Sequence, residues 1–229
     1  MENTETIQRL LISALPILIA ITFHEVAHGY VALRLGDPTA KLLGRLTLNP
    51  LAHIDIFGTI LLPLIMYATT GFAFGYAKPV PINPMNFRNP RKGMALSAVS
   101  GPATNIALAL LSGIILKFLL IPLSEISPTL IGEAILYPMQ KMLAVSVLIN
   151  FMLAALNMIP IPPLDGGRVL AGLLPSKLSF SFSKIEPFGF IIVLILFYTH
   201  VTDYILWPFI LLFIKLFNLE FIFALLRSN

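Results

Sequence analysis

The chain contains no cysteine among its 229 residues, and few of its residues are charged. Without cysteine it forms neither disulfides nor a thiolate metal site, so zinc would have to bind through nitrogen and oxygen ligands. Only 11% of the residues are charged, where a soluble domain has roughly twice that share. Hydrophobic residues make up 57% of the chain, and its mean hydropathy is +0.90. This composition predicts a polytopic membrane protein without a separate soluble domain.

Six apolar runs divide the chain, and several approach the length of about twenty residues that a membrane-spanning helix needs. They cover Ile7–Leu35, Ile56–Phe74, Gly93–Ile121, Glu133–Ile159, Pro187–His200 and Tyr204–Leu226. We predict an all-α protein of five or six transmembrane or re-entrant helices, with a small β-hairpin or extended element near the cytoplasmic face. We interpret residues 1–229 as one integral membrane domain. Its core covers about 7–175 and its C-terminal helical pair about 187–226.

Lysine and arginine are concentrated in only some of the segments between these runs. Basic residues occur between the first and third runs and again after the fourth, whereas segments 122–132 and 199–203 contain none. The positive-inside rule therefore predicts an outside N-terminus, a cytoplasmic stretch from about Arg34 to Lys92, and a cytoplasmic C-terminus. These loops explain the net charge of +4 better than nucleic-acid binding does.

The run Ile56–Phe74 conflicts with this topology because both of its flanks are basic. A full crossing would place one basic cluster on the wrong side of the membrane. Gly58, Pro63 and Gly71 interrupt the run, which favours a re-entrant or shallow element that lines a protein cavity. The alternative is an ordinary sixth span.

Two histidines and a glutamate, His24, Glu25 and His28, interrupt the first apolar run. Residues four apart lie on one helical face, so the two histidines can hold one divalent metal ion, and Glu25 can take a proton from water at that metal. The alternative is a pair of satisfied core histidines. Three ionisable groups within five residues of a lipid-embedded helix are costly without a role, which favours the metal site.

A second polar group ends the fourth run, where Asp165 follows a proline-rich strip. Pro160, Pro162 and Pro163 cannot continue a helix, and the two glycines after Asp165 allow the chain to turn and restart. In the predicted topology Asp165 lies at about the depth of the histidines. His24, His28 and Asp165 would then hold one Zn²⁺ per chain and leave a fourth position for water. The alternative for Asp165 is a helix N-cap.

Three further polar features are candidates for support of the site or for substrate binding. Asn105 lies one turn beyond Gly101 and Pro102, and helix packing and site support are equally compatible with it. His53 is interpreted as a supporting or interfacial residue rather than a ligand. Prolines rule out a continuous helix in stretch 75–84. Either this stretch or stretch 44–50 can offer an unpaired strand edge to an extended peptide, and the alternative is a structured cytoplasmic cap.

With His24–His28, Gly101–Asn105 and Asn157–Gly167 in this order, the chain resembles the site-2 proteases, which are intramembrane zinc metalloproteases of the M50 type. The resemblance covers residues 7 to about 175. The phrases Arg45–Pro50 and Lys78–Pro81 resemble the compact prokaryotic branch, which implies a multi-pass protein of a prokaryotic plasma membrane.

The resemblance implies zinc ligation by His24, His28 and Asp165, general-base catalysis by Glu25, and substrate binding by Asn157. It also implies transmembrane protein substrates, met inside the bilayer near its cytoplasmic side. Many relatives carry a PDZ domain outside the membrane, and we expect none here because no stretch is long enough.

Two other functions compete with intramembrane proteolysis. A prenyl-protein endopeptidase would need a later glutamate as a ligand, yet Glu125, Glu133, Glu186 and Glu220 all lie near run ends or in loops. A non-enzymatic metal transporter or scaffold would be expected to show inverted repeats and several polar spans, which the chain lacks, and it would leave Glu25 without a purpose.

Overall fold

The computed structural model describes residues 2–70 and 75–227, and within them the regular structure is helical. The helices are α1 (Glu2–Arg34), α2 (Thr39–Leu42), α3 (Leu62–Thr70), α4 (Pro90–Ile115), α5 (Ile121–Ile126), α6 (Thr129–Ile131), α7 (Tyr137–Asn157), α8 (Asp165–Leu173), α9 (Ser176–Ser183), α10 (Glu186–Tyr198), α11 (Val201–Leu216) and α12 (Phe221–Arg227). Short 3-10 turns cover Pro50–His53 and Pro84–Asn86, and π-helical turns cover Ile56–Leu61, Leu116–Leu120 and Gly132–Leu136.

Among the described residues, three continuous helical stretches are long and apolar enough to cross a membrane: Ile12–Arg34, Pro90–Ile126 and Thr129–Asn157. Two bent pairs, α9 with α10 and α11 with α12, bring the number to five if each pair is one span. The predicted all-α, polytopic membrane class is therefore confirmed, with three to five candidate spans.

The predicted β-hairpin is wrong, because no described residue lies in a strand. Residues 75–83 are extended, as their prolines require, but they do not pair with a second strand. The amides of Tyr76 and Lys78 instead donate to the carbonyls of Gly58 and His53, at 2.9 and 3.0 Å. These two amides thus bond to carbonyls of separate segments and not to a paired strand.

The run that begins at Ile56 is a π-helical turn followed by α3, and its predicted end, residues 71–74, lies outside the described residues. The described helix covers 15 residues, or about 22 Å at 1.5 Å per residue. That is shorter than the hydrocarbon core of about 30 Å. The described part is thus shorter than an ordinary span.

The chain divides into two compact units. The first unit contains the chain up to Ala20, Asn105–Ala155 and the part from Ile205 onward, and the second contains Ile21–Thr104 and Leu156–Tyr204. The core of the first unit includes the fully buried Phe151, whose ring lies 5.2 Å from that of Phe213.

The first unit also buries a chain of polar side chains. Asn105 donates to Asn150 Oδ1 at 2.8 Å and to the carbonyl of Ala20 at 3.3 Å. Asn150 in turn donates to the carbonyl of Ser146 at 2.9 Å, and the Ser146 hydroxyl lies 2.9 Å from that of Ser112. Buried polar groups that satisfy one another in this way hold apolar helices together.

In the second unit, α1 ends where Gly36 takes the positive φ of +112°. The Asp37 amide bonds back to the Ala32 carbonyl at 2.9 Å, which is the Schellman closure of a helix. The fully buried Asp37 carboxylate then accepts bonds from the Asn83 amide and the Asn86 side chain, both at 2.7 Å. Asp37 thereby holds residues 83–86 beside the end of α1.

Candidate active site

His24, His28 and Asp165 converge in the second unit, although 137 residues separate the second histidine from the aspartate. The two histidine Nε2 atoms are 3.0 Å apart, and Asp165 Oδ2 lies 3.1 Å from that of His24 and 3.2 Å from that of His28. All three residues are buried. They are the one group of metal-ligand side chains found among the described residues.

The geometry of this group fits a zinc ion. Zinc at about 2.0–2.1 Å from each of its tetrahedral ligands places those ligands roughly 3.3 Å from one another, close to the observed 3.0–3.2 Å. Asp165 Oδ2 is buried and has no well-directed hydrogen bond within the described structure. Buried acceptors that face one another without donors are costly, and a shared cation removes that cost.

Asp165 reaches the histidines because the chain after α7 folds tightly against the start of α8. The prolines from Pro160 onward end the helix, and α8 begins at Asp165 itself. A side chain on Gly166 would lie 2.3 Å from the Met158 carbonyl, so only glycine permits this approach. The N-cap of α8 is Leu164, so Asp165 is not the N-cap residue.

His28 is oriented by Ser97 of α4. Its Nδ1 donates to the Ser97 carbonyl at 2.7 Å, and the Ser97 hydroxyl donates to the His28 carbonyl at 2.9 Å. A proton on Nδ1 leaves the lone pair of Nε2 for a metal, which is the usual arrangement for a ligating histidine.

Gly101, one helical turn after Ser97, lies against the imidazole rings of both His24 and His28. A Cβ atom at this position would come within 2.5 Å of His28 Nε2 and within 2.6 Å of His24 Cε1. Both rings would have to move to admit even a methyl group. The absence of a side chain on Gly101 therefore sets the distance between α4 and α1 at the site.

Glu25 is half-buried, and its Oε2 accepts a 2.8 Å hydrogen bond from the Val80 amide. No described residue donates to its second oxygen, Oε1. One oxygen of the Glu25 carboxylate is therefore held in place. Val80 lies between Pro79 and Pro81, so its amide is the only backbone donor of those three residues.

Two contacts hold Val80 in this position. Its side chain packs against Gly29, where a Cβ atom would lie 2.7 Å from Val80 Cγ1. The Arg45 guanidinium donates to the carbonyls of Lys78 and Pro79, at 2.9 and 3.4 Å. The extended segment is thus attached to α1 one turn beyond Glu25 and tied to the preceding loop.

The other predicted site residues lie outside the metal-ligand group. Asn157 is half-buried at the end of α7, where the chain starts toward Asp165. His53 is buried, its Nε2 bonds to the Thr47 carbonyl at 2.8 Å, and its own carbonyl accepts from Lys78. Asn105 belongs to the polar chain of the first unit.

Ser97 and Val80 were not predicted from the sequence. Ser97 precedes Gly101 by four residues, so the two share a helical face, and this spacing was the available signal. For Val80 the signal was a single backbone donor between two prolines. Neither pattern identifies its partner without the folded chain.

Membrane-length helices that carry a buried His-Glu-x-x-His pair and a distant aspartate define the class of membrane-embedded zinc metallopeptidases. Comparison with known proteins agrees. Peptidase family M50 matches residues 121–197.

The chain is similar to proteins named as zinc metalloproteases, among them YwhC and Rip2, each called a "Putative zinc metalloprotease". YwhC of Bacillus subtilis (strain 168) is 38% identical over 192 residues, which cover 84% of this chain and 82% of YwhC. Rip2 of Mycolicibacterium smegmatis is 30% identical over 183 residues, or 80% of this chain and 64% of Rip2. The archaeal "Zinc metalloprotease MJ0392" of Methanocaldococcus jannaschii is 23% identical over 70% of this chain and 34% of its own length. No solved structure shows significant similarity.

The chain therefore belongs to the M50 family of zinc metalloproteases, the family of the site-2 proteases. The predicted enzyme class and the predicted zinc cofactor are confirmed.

Proposed function

We propose that this protease is an endopeptidase that cuts transmembrane helices of membrane-anchored proteins within the bilayer. The observation that supports the proposal most directly is the position of the site. His24, Glu25 and His28 lie inside the candidate span Ile12–Arg34 rather than in a loop or a soluble domain. A substrate bond must come to that depth to be cut.

In the proposed mechanism, His24 Nε2, His28 Nε2 and Asp165 Oδ2 would hold the zinc ion. A bound zinc ion supplies Lewis acidity, which acidifies water and polarises the carbonyl of the bond to be cut. Glu25 Oε1 takes the proton of the attacking water and passes it to the nitrogen of the departing peptide. The Val80 amide keeps the other carboxylate oxygen in place during both transfers.

A peptide bond within an α-helix is shielded by the helix's own hydrogen bonds, so the substrate has to open locally into an extended form. In lipid the freed backbone groups need new partners, at several kcal/mol for each one left unmet. We propose that stretch 44–48 or 75–82 provides them, while the Asn157 side chain holds the substrate backbone. Along 75–82 the amides of Tyr76, Lys78 and Val80 and the carbonyls of Tyr76, Lys78 and Pro79 are already used. A substrate would therefore have to pair with the other backbone groups of that stretch.

The proposed roles of the remaining residues follow from their contacts. His53 bonds to Thr47 and accepts from Lys78, so it supports both extended stretches rather than the metal. Asn105 is proposed to act in helix packing. For the orientation, the distribution of lysine and arginine supports an outside N-terminus, a cytoplasmic C-terminus and a site toward the cytoplasmic side of a prokaryotic plasma membrane.

No structural observation favours the competing functions. Glu125, Glu133, Glu186 and Glu220 are all exposed, and Asp165 rather than a glutamate completes the group of metal-binding side chains. A transporter or scaffold would not require the held carboxylate of Glu25.

The proposal is tested with purified full-length protein and two single-span test substrates, one with and one without helix-breaking glycine or proline near the cytoplasmic end of its span. We expect cleavage that a chelator abolishes and that is faster for the helix-broken substrate. Glu25→Gln should retain zinc but lower kcat by about 10²- to 10⁴-fold, since a general base is lost. Full activity of this variant, or equal rates for the two substrates, would contradict the mechanism.

A further inference from the structure

A cavity of about 330 Å³ lies in the second unit, between the end of α1 and the start of α4. The zinc ligands, Glu25 and the extended segment 75–83 do not line it. The two helices belong to the candidate spans that end at Arg34 and begin at Pro90. The cavity therefore lies where one candidate span ends and another begins.

The charges around this cavity have one sign. Arg34, Arg88 and Lys92 line it, and none of the described lining residues is acidic. Arg34 is held in place by the hydroxyl of Tyr30, and its guanidinium lies 5.0 Å from the centre of that ring. A cation that is already ordered loses less side-chain freedom when it binds an anion.

The nearest acidic residue along the chain, Asp37, is already fully used. Its buried carboxylate accepts bonds from the Thr39 amide and hydroxyl, the Asn83 amide and the Asn86 side chain. Burial by itself would raise the pKa of Asp37, but these hydrogen bonds hold it below its usual value. Asp37 thus fixes the chain beside the cavity and does not pair with the three cations.

Apart from Asn89, the remaining side chains of the lining are apolar. Leu33 and Leu96 form part of the wall, and the buried ring of Phe87 packs so closely on Gly93 that a Cβ atom there would lie 2.4 Å away. A free phosphate ion would gain nothing from such a wall, whereas a phospholipid can place its phosphate among the cations and its glycerol and first methylenes against the leucines.

We propose that this cavity binds the phosphate-bearing headgroup of an anionic phospholipid. The inference is independent of the proposed protease mechanism, because it uses none of the catalytic residues.

The test uses full-length protein in neutral detergent, with three probes: phosphatidylglycerol, phosphatidylcholine with the same acyl chains, and inorganic phosphate. Lipid adducts are counted by native mass spectrometry, and the shift of the unfolding midpoint is measured in parallel. The cavity variant is the double substitution Arg88→Gln with Lys92→Gln. The matched control is Lys177→Gln with Lys184→Gln, which removes two equally exposed cations that do not line the cavity.

We expect phosphatidylglycerol to bind and stabilise the wild-type protein. The cavity variant should lose about tenfold or more in affinity, because each basic residue near a membrane surface adds to the attraction for anionic lipid. The control variant should bind as the wild type does, and unchanged zinc content should show that both variants are folded. Equal binding of the two lipids would overturn the proposal, as would equal loss in the control variant. If inorganic phosphate raised the unfolding midpoint as much as the lipid does, the ligand of the cavity would be a free phosphate ion and not a lipid headgroup.

Discussion

Each unit of this protein buries a cluster of polar side chains, and the hydrogen bonding within these two clusters differs. In the first unit, Asn105, Asn150, Ser146 and Ser112 form a chain in which donors meet acceptors at 2.8–2.9 Å. A network of this kind is complete without any added group.

In the second unit, the buried cluster of His24, His28 and Asp165 brings three potential metal-ligand atoms face to face. Asp165 Oδ2 faces two histidine Nε2 atoms and has no well-directed donor among the described residues. The surrounding structure nevertheless holds these atoms together, through Ser97 on one ring and close glycine contacts around the others. A rigidly held polar cluster with unmatched hydrogen-bonding groups therefore marks a ligand site, whereas a cluster whose donors and acceptors are all matched marks helix packing.

The largest effect is expected from Asp165→Ala, which removes one of the three converging acceptors. Zinc content should fall well below one per chain and cleavage should be lost, while the protein still inserts into membranes. Metal analysis of the purified variant, beside a substrate assay, measures both. Stoichiometric zinc with full activity would show that the second unit is not the metal site.

Gly101→Ala should have the next largest effect, because the added methyl group would meet both imidazole rings. Disturbing the surroundings of ligands typically lowers metal affinity by about 10- to 100-fold, and we expect a loss in that range by competition with a chelator. Gly113→Ala is the matched control on the same helix, since its neighbour is a flexible leucine side chain of the first unit. Equal zinc affinity in both variants would mean that the rings relax freely.

Val80→Pro should lower kcat by up to about 10²-fold with little change in KM or zinc content, because it deletes the amide that holds Glu25 Oε2. Val80→Ala keeps that amide and loses only packing, so it should retain far more activity. Hydrogen exchange provides a readout besides activity: the Val80 amide should exchange faster in Glu25→Ala than in the wild type. An unchanged exchange rate would show that the Val80 amide does not form a stable hydrogen bond with Glu25.

The smallest effect is expected from Asn105→Ala, which changes the polar cluster of the first unit and leaves the candidate metal site intact. It leaves the Asn150 side chain without one donor, at a cost of about 1 kcal/mol. The unfolding midpoint should fall while zinc content and kcat stay at wild-type values. Loss of zinc in this variant would assign Asn105 to the site instead of to packing.

Local patterns account for the parts of the fold and site that could be predicted. The apolar runs predicted the spans, and the spacing of His24 and His28 placed both rings on one helical face. Features that depend on residues close together in the chain could therefore be predicted from the sequence. The predicted β-hairpin failed because extended backbone does not by itself make a sheet. The amides of segment 75–83 found acceptors in the Gly58 and His53 carbonyls and in Glu25, none of which belongs to a second strand.

By itself the sequence determined the membrane class, the helical histidine pair with its glutamate, and the break before Asp165, since each depends on residues close together in the chain. Only the tertiary structure decided that Asp165 meets the histidines, that Ser97 fixes one ring, that Gly101 sets the helix spacing and that Val80 holds Glu25. Those contacts join residues that are 55 or more positions apart. Close packing of helices and loops produces them, and the physical reason is that a side chain or amide has no preferred long-range partner until the backbone has been placed.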